Sequence, residues 1–291
     1  MKPMRRAGLL MAMAVPLVAA GCGLFGRAPA DPHYVLGAPY QADGVWYYPR
    51  DSYAAVETGL AEVVTSRHPP LTANGEAYDA EAVAAAHQTL QLPAIARVTN
   101  LETGMQMLVR INDRGPARPH RLLELTPRAA ALLGVPPAGG TRVRLEVLEP
   151  ESRQAVEGLR GAPRMEIALA PRGAVRSEAL DGPGGGPPAL QAPAEEGPPS
   201  GAAQPLAATR TRVAPDPGML WIRLGTFSRR EFAERQRALL AALSPFIETE
   251  WEGRQAKFKL RIGPLVSVTA ADATLDQVIR AGVSDARIVV E

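Results

Sequence analysis

Met105–Pro116 reads MQMLVRINDRGP, and the fold turns on how this stretch is taken. MQMLVRI has the apolar make-up of a buried β-strand. Asn112, Asp113, Arg114, Gly115 and Pro116 then crowd turn-forming and charged residues into consecutive positions. A plain hairpin needs about two such residues. The segment is therefore either a turn alone, with Asp113 capping its own loop or paired with Arg114, or a turn that presents the Asp113 carboxylate for chemistry.

Around this stretch, from Gly59 to about Val147, the short segments AEVVT, ARVTN, MQMLVRI and TRVRLEVL alternate with turn clusters. That is the pattern of a small mixed β-barrel. One helix is signed inside it: in LTPRAAALLG, Thr126 is the N-cap, Pro127 the first helical residue and Gly134 the left-handed stop. Upstream, Arg27–Thr58 holds Trp46 and five of the six tyrosines and reads as a lead-in packed on the barrel. Downstream, 17 of the 47 residues from Pro171 to Pro217 are Pro or Gly and none is aromatic. Such a segment cannot bury enough apolar area to offset its ordering entropy, which predicts a solvated linker.

A regular order returns from Gly218 to Glu291. LWIRLGTF and AKFKLRIG alternate as strands, FIETEWE can supply another, and ARIVVE closes the chain as a strand. Ser228 and Glu231 form a capping-box pair before a helix whose face carries Phe232, Gln236, Leu239, Leu240 and Leu243. Thr269 and Asp272 start a second helix, with Leu275, Val278 and Ile279 inward and Gly282 at its end. Strand, helix, strands, helix, strand predicts a ferredoxin-like α/β sandwich.

The 32 basic and 30 acidic residues nearly cancel, so composition calls for no nucleic-acid partner. Lys2, Arg5 and Arg6 lead an apolar run, Ala7–Ala20, that is too short to span a bilayer but suits a signal peptide. Ala19, Ala20 and Gly21 precede Cys22, the only cysteine. This resembles a bacterial lipoprotein signal, which implies lipidation at Cys22 and a membrane anchor. Gly23, rather than Asp, at the next position implies the outer membrane, facing the periplasm. The expected organisation is a signal peptide over 1–21, a lipidated lead-in over 22–58, a barrel over 59–150, a disordered linker over 151–217 and the α/β domain over 218–291.

His33, His68, His87 and His120 stand far apart with no metal-ligand spacing, and no phosphate loop or nucleophile elbow appears, so neither metal nor cofactor is called for. Acid–base chemistry in the barrel remains. TANGEAY places Glu76 directly after the Asn74–Gly75 turn, where a glutamate is often only solvated. AAAHQTL places His87 after three alanines, where a histidine is more often a hydrogen-bonded core residue than a catalyst.

TANGEAYD, AAHQTLQLP, VTNLETG, VRINDRGP, RLLELTPRAAALLG and TRVRLEVL occur in order over this region. Together they resemble the double-psi β-barrel of the rare lipoprotein A family, septal-ring lytic transglycosylases of bacterial peptidoglycan. WIRLGTFS and LRIGPL resemble a SPOR domain, which binds glycan strands stripped of stem peptides. The resemblance implies cleavage of the MurNAc–GlcNAc β-1,4 bond without water, leaving a 1,6-anhydro ring. It makes Asp113, Glu76 and His87 the functional trio: Asp113 the acid/base, Glu76 a second carboxylate that tunes it or stabilises positive charge on the sugar, and His87 an orienting residue. Asn112, Arg114, Glu124, Trp221 and Arg223 are the expected substrate contacts, and division proteins are possible partners.

Three departures bear on activity. AEVVTSR stands where the family has an aromatic SWYG run, Glu124 in LELT replaces an Asp, and Arg223 replaces a Gln in the SPOR strand. The alternative to an enzyme is a glycan-binding envelope scaffold without catalysis.

Overall fold

The computed structural model describes residues 29–42, 44–64, 68–116, 118, 120–163 and 206–291. The signal segment, Cys22 and residues 164–205 lie outside the described residues. A short hairpin, β1 (Tyr40–Ala42) and β2 (Val45–Tyr47), precedes the barrel strands β3 (Val56–Val63), β4 (Ala84–Ala86), β5 (Ala94–Asn100), β6 (Met105–Asp113) and β7 (Leu123–Leu125). Helix α1 (Pro127–Leu133) follows, then β8 (Thr141–Val147), helix α2 (Glu149–Val156) and the short strand β9 (Arg210–Arg212).

Strands pair in the order β4-β7-β3-β8-β5-β6, and β6 returns to β4, so six strands close into a barrel. The β3–β7 and β4–β6 pairs are parallel and the others antiparallel. Closure leaves few free edges. Alternation sets the interior: on β8, Thr141, Val143, Leu145 and Val147 point in while Arg142, Arg144 and Glu146 lie outside. Met107, Val109 and Ile111 of β6 join them, and Ala129, Ala130 and Leu133 of α1 pack against the same core. Each large aliphatic side chain removed from water contributes roughly 2 kcal/mol. The α1 ends are as read: Thr126 accepts from the Ala129 amide, and Gly134 sits at φ 70°.

Two expectations for the linker and lead-in need correction. The disordered linker was expected from residue 151, but α2 covers Glu149–Val156 and docks on the barrel through Ser152, whose hydroxyl bonds both the amide and the carbonyl of Ile95. At the other end β9 adds to the open start of β6, Met105–Met107. Both stretches lack the dense Pro/Gly runs between them, so they can order. The barrel's first strand starts at Val56, inside the expected lead-in.

The C-terminal unit comprises β10 (Leu220–Phe227), α3 (Arg230–Leu239), β11 (Phe246–Glu252), β12 (Gln255–Leu265), α4 (Val268–Arg280) and β13 (Arg287–Val290). Its antiparallel sheet has the order β11-β12-β10-β13, the ferredoxin-like arrangement expected. The helix starts differ from expectation. Arg229 precedes α3 with no side-chain cap, and Ser267, not Thr269, caps α4 by accepting from the Ala270 amide. On α3 the buried residue is Ala233, while Phe232 and Leu239 are exposed, because the helix turns its small residue to the sheet. Asp272 instead meets the barrel: the guanidinium of buried Arg121 grips its carboxylate at 2.6 and 2.8 Å.

Candidate active site

Outside the barrel, the surface flanked by β4, β6 and the 68–83 loop forms a groove of about 540 Å³. Its position follows from β6. Met107, Val109 and Ile111 fill the interior, so Arg110 takes the outer face. An irregularity then breaks the β4–β6 register: Ala85 pairs with Ile111, and Ala86 with Asp113. The extra residue lets the consecutive side chains of Asn112 and Asp113 both line the groove, a bulge re-aiming a side chain.

Glu76 reaches the same groove from the Asn74–Gly75 turn. Gly75 sits at φ 79°, and a Cβ there would stand 2.2 Å from the Asp31 carbonyl, so the turn needs glycine. The Glu76 carboxylate is buried and fully subscribed. Arg110 donates from Nη2 at 2.6 Å and from Nε at 3.0 and 3.1 Å, Asn112 donates at 2.8 Å and Asn74 at 2.7 Å. Burial alone would raise its pKa, but the Arg110 hydrogen bonds and charge, helped by Asn112 and Asn74, outweigh it and hold the carboxyl below its ordinary value. Glu76 is thus a fixed anion, and its charge is matched by Arg110. The expectation that it would push a neighbouring carboxyl's pKa upward finds no support in this arrangement.

Asp113 divides its two oxygens. Oδ1 accepts from the Ala73 amide at 2.8 Å and the Arg114 amide at 2.7 Å, which pins the loop. Oδ2 meets His68 Nε2 at 2.6 Å, and the His68 ring stacks on Tyr78 with centroids 3.9 Å apart. One oxygen thus caps the turn, and the other lies against His68 at the groove. Glu124, on β7 beside Ala86, lines the same groove.

Two expected site residues are placed elsewhere. His87 is 3% exposed, and its ring lines a different cleft, between the barrel and the C-terminal unit. Its Nδ1 accepts from the Thr89 and Leu90 amides at 3.1 and 3.2 Å, and burial pushes its pKa down to about 4. It touches Asp113 only through the backbone, its N–H donating to the Asp113 carbonyl at 3.0 Å. His87 is therefore a buried neutral residue that holds β4 against the Asp113 loop. Arg114 is the second: its guanidinium is spent on the carbonyls of Leu36, Leu90 and His87, and so does not reach the groove.

Sequence reading missed His68, Tyr78 and Arg110 as site residues. Tyr78 and Arg110 stood in the motifs TANGEAYD and VRINDRGP. His68 was weighed only as a metal ligand; the signal was its place eight residues before Glu76, in the loop that leads to the turn.

On the C-terminal sheet, Trp221 is half-buried, edge-on to Phe246 at 5.6 Å and covered by the Arg261 guanidinium at 4.8 Å. Arg223 lies opposite Arg261 on one side and Arg287 on the other. One sheet face thus combines an aromatic ring with a row of guanidinium groups.

The family model described as "Lytic transglycolase" matches residues 55–145, which spans β3 to nearly the end of β8. The endolytic peptidoglycan transglycosylase RlpA of Pseudomonas aeruginosa is 32% identical over 261 residues, covering 84% of this chain and 74% of that protein. The chain belongs to the RlpA family. The RlpA of Neisseria meningitidis is 37% identical over 120 residues, 40% of this chain and 50% of its own. A crystal structure of the RlpA SPOR domain from Pseudomonas aeruginosa is also similar, at 24% identity and a TM-score of 0.23, covering 25% of this chain and 99% of that one. The double-psi barrel of this RlpA-family chain therefore carries a groove with a matched Glu76–Arg110 pair at one point and an Asp113–His68 contact at another.

Proposed function

We propose that this chain is an endolytic lytic transglycosylase that cuts MurNAc–GlcNAc β-1,4 bonds in glycan strands lacking stem peptides. The reading rests on the groove observation above: an Asp113 oxygen free of its own loop, touching His68, beside an anion fixed by Arg110. In the reaction the muramyl 6-hydroxyl oxygen bonds to its own C1 as the C1–O4 bond breaks. The departing O4 takes a proton, and the 6-hydroxyl loses one, so a single acid/base can serve both steps. Asp113 is that group, and Glu76, gripped by Arg110, Asn74 and Asn112, fixes the groove wall beside it. Asn112 and Glu124 line the path of the strand.

The sheet face bearing Trp221 and Arg223 would hold a second stretch of glycan and raise the local substrate concentration. Lipid on Cys22 would tether the protein to the outer membrane on its periplasmic side, with enrichment at the septum through division partners. Tyr78 supplies an aromatic ring at the groove even though the SWYG run is absent, which favours the enzyme over a catalytically silent scaffold.

The test is digestion of amidase-treated peptidoglycan in ¹⁸O-labelled water, followed by mass spectrometry. Unlabelled 1,6-anhydromuramyl ends are expected. Labelled reducing ends would mean hydrolysis, and intact strands would mean a scaffold; either overturns the proposal.

A further inference from the structure

The contacts of His68 fix where its protons are. Nδ1 lies 2.8 Å from the Pro69 carbonyl, which can only accept, so Nδ1 carries a hydrogen. Nε2 lies 2.6 Å from Asp113 Oδ2. Two bare lone pairs would repel at that distance, so one further proton lies between them, on either the imidazole or the carboxyl. Asp113 Oδ1 already accepts two amides, which confines that proton to Oδ2 and Nε2. The pair is largely shielded from water, with the two side chains 17% and 13% exposed and Tyr78 stacked on the ring.

We propose that His68 is the proton partner of Asp113, a positioning residue that acts on the sugar only through the Asp113 carboxyl. The inference rests on the transglycosylase reading. At rest the pair holds one transferable proton. As the C1–O4 bond breaks, Asp113 Oδ2 passes that proton to the leaving O4, and the pair becomes neutral imidazole beside carboxylate. The carboxylate then takes the proton released by the 6-hydroxyl as O6 bonds to C1, and the pair is restored. Atoms and charge balance with neither water nor a co-reactant. Without the imidazole, a lone carboxyl would have to hold its proton near neutral pH, where an ordinary carboxylic acid is ionised.

The other ionisable groups at the groove are Glu76 with Arg110, Tyr78, Asp79 and Glu81 after the turn, Glu124 on β7 and Arg128 on α1. Glu76 is neutralised by Arg110, so its charge does not replace the imidazole.

The test compares pH profiles of kcat/KM on denuded glycan for the full chain, His68→Gln, and His68→Ala with and without added imidazole. In His68→Gln the alkaline limb should retreat clearly to lower pH. Its kcat at neutral pH should fall about 100-fold with KM little changed. Imidazole should restore part of the His68→Ala activity. A His68→Gln profile that keeps the wild-type alkaline limb, or His68→Ala indifferent to imidazole, overturns the inference. If the wild type forms no anhydro ends, the transglycosylase reading fails with it. If the wild type forms them and only the profile is unmoved, the His68 role fails alone.

Discussion

His87 provides a sharp test of where histidine chemistry resides in this barrel. Its imidazole is buried and neutral, with its proton affinity pushed down from the ordinary 6.5 to about 4. The unfolded chain therefore binds a proton there as pH falls below about 6.5, and the folded chain does not. The stability this group contributes is fully present above that pH and is lost as pH falls toward its folded value. Linkage puts the loss at about 2 kcal/mol by pH 5 and about 3 kcal/mol by pH 4. The perturbation is His87→Asn, whose side-chain carbonyl can still accept from the Thr89 and Leu90 amides but cannot titrate.

Urea unfolding from pH 7 to pH 5 should show the wild type losing about 2 kcal/mol more than the variant. The window avoids Glu76, whose lowered value makes its own contribution disappear only at more acid pH. His120, also lowered by burial, titrates in both proteins and cancels. Equal acid slopes would refute the account of His87 as a buried neutral residue. His87→Ala, lacking the acceptor, should instead loosen the loop under Asp113 and lower activity, with partial recovery in His87→Asn.

Other outcomes follow from the same geometry. Glu76→Gln leaves Arg110 without its counter-charge and should cost about 3 kcal/mol by urea unfolding, while the double variant Glu76→Gln/Arg110→Gln should lose less than the two single changes added together. Trp221→Ala should release the chain from denuded sacculi in a pelleting assay yet leave turnover of short soluble glycans within about two-fold, because the groove lies on the barrel.

Much of the fold was legible because local chemistry and tertiary structure agree. Thr126, Pro127 and Gly134 specify α1 without help, and the period-two alternation of TRVRLEVL survives in β8 while that of LWIRLGTF holds from Leu220 to Leu224 of β10 and breaks at the register irregularity near Gly225. The start at Thr269 differs because Ser267, two residues earlier, takes the cap of α4, while α3 begins after Arg229 with no side-chain cap, so the Ser228 signal is not used. In the site, motif order brought Glu76 and Asp113 to one groove. It could not show that the register irregularity after Ala85 points Asn112 and Asp113 the same way, or that His87 turns its ring to the opposite side of β4. His68 was overlooked because its partner lies 45 residues away and meets it only when the loop closes over β6.

The most direct test of the central claim is the rate at which Asp113→Asn forms 1,6-anhydromuramyl ends on denuded glycan. The asparagine carbonyl can accept from the Ala73 and Arg114 amides, so the loop should keep its shape while the transferable proton is gone. The account predicts a fall of roughly 1,000-fold with an unchanged urea midpoint. A folded Asp113→Asn variant that keeps more than about a tenth of the wild-type rate would contradict it.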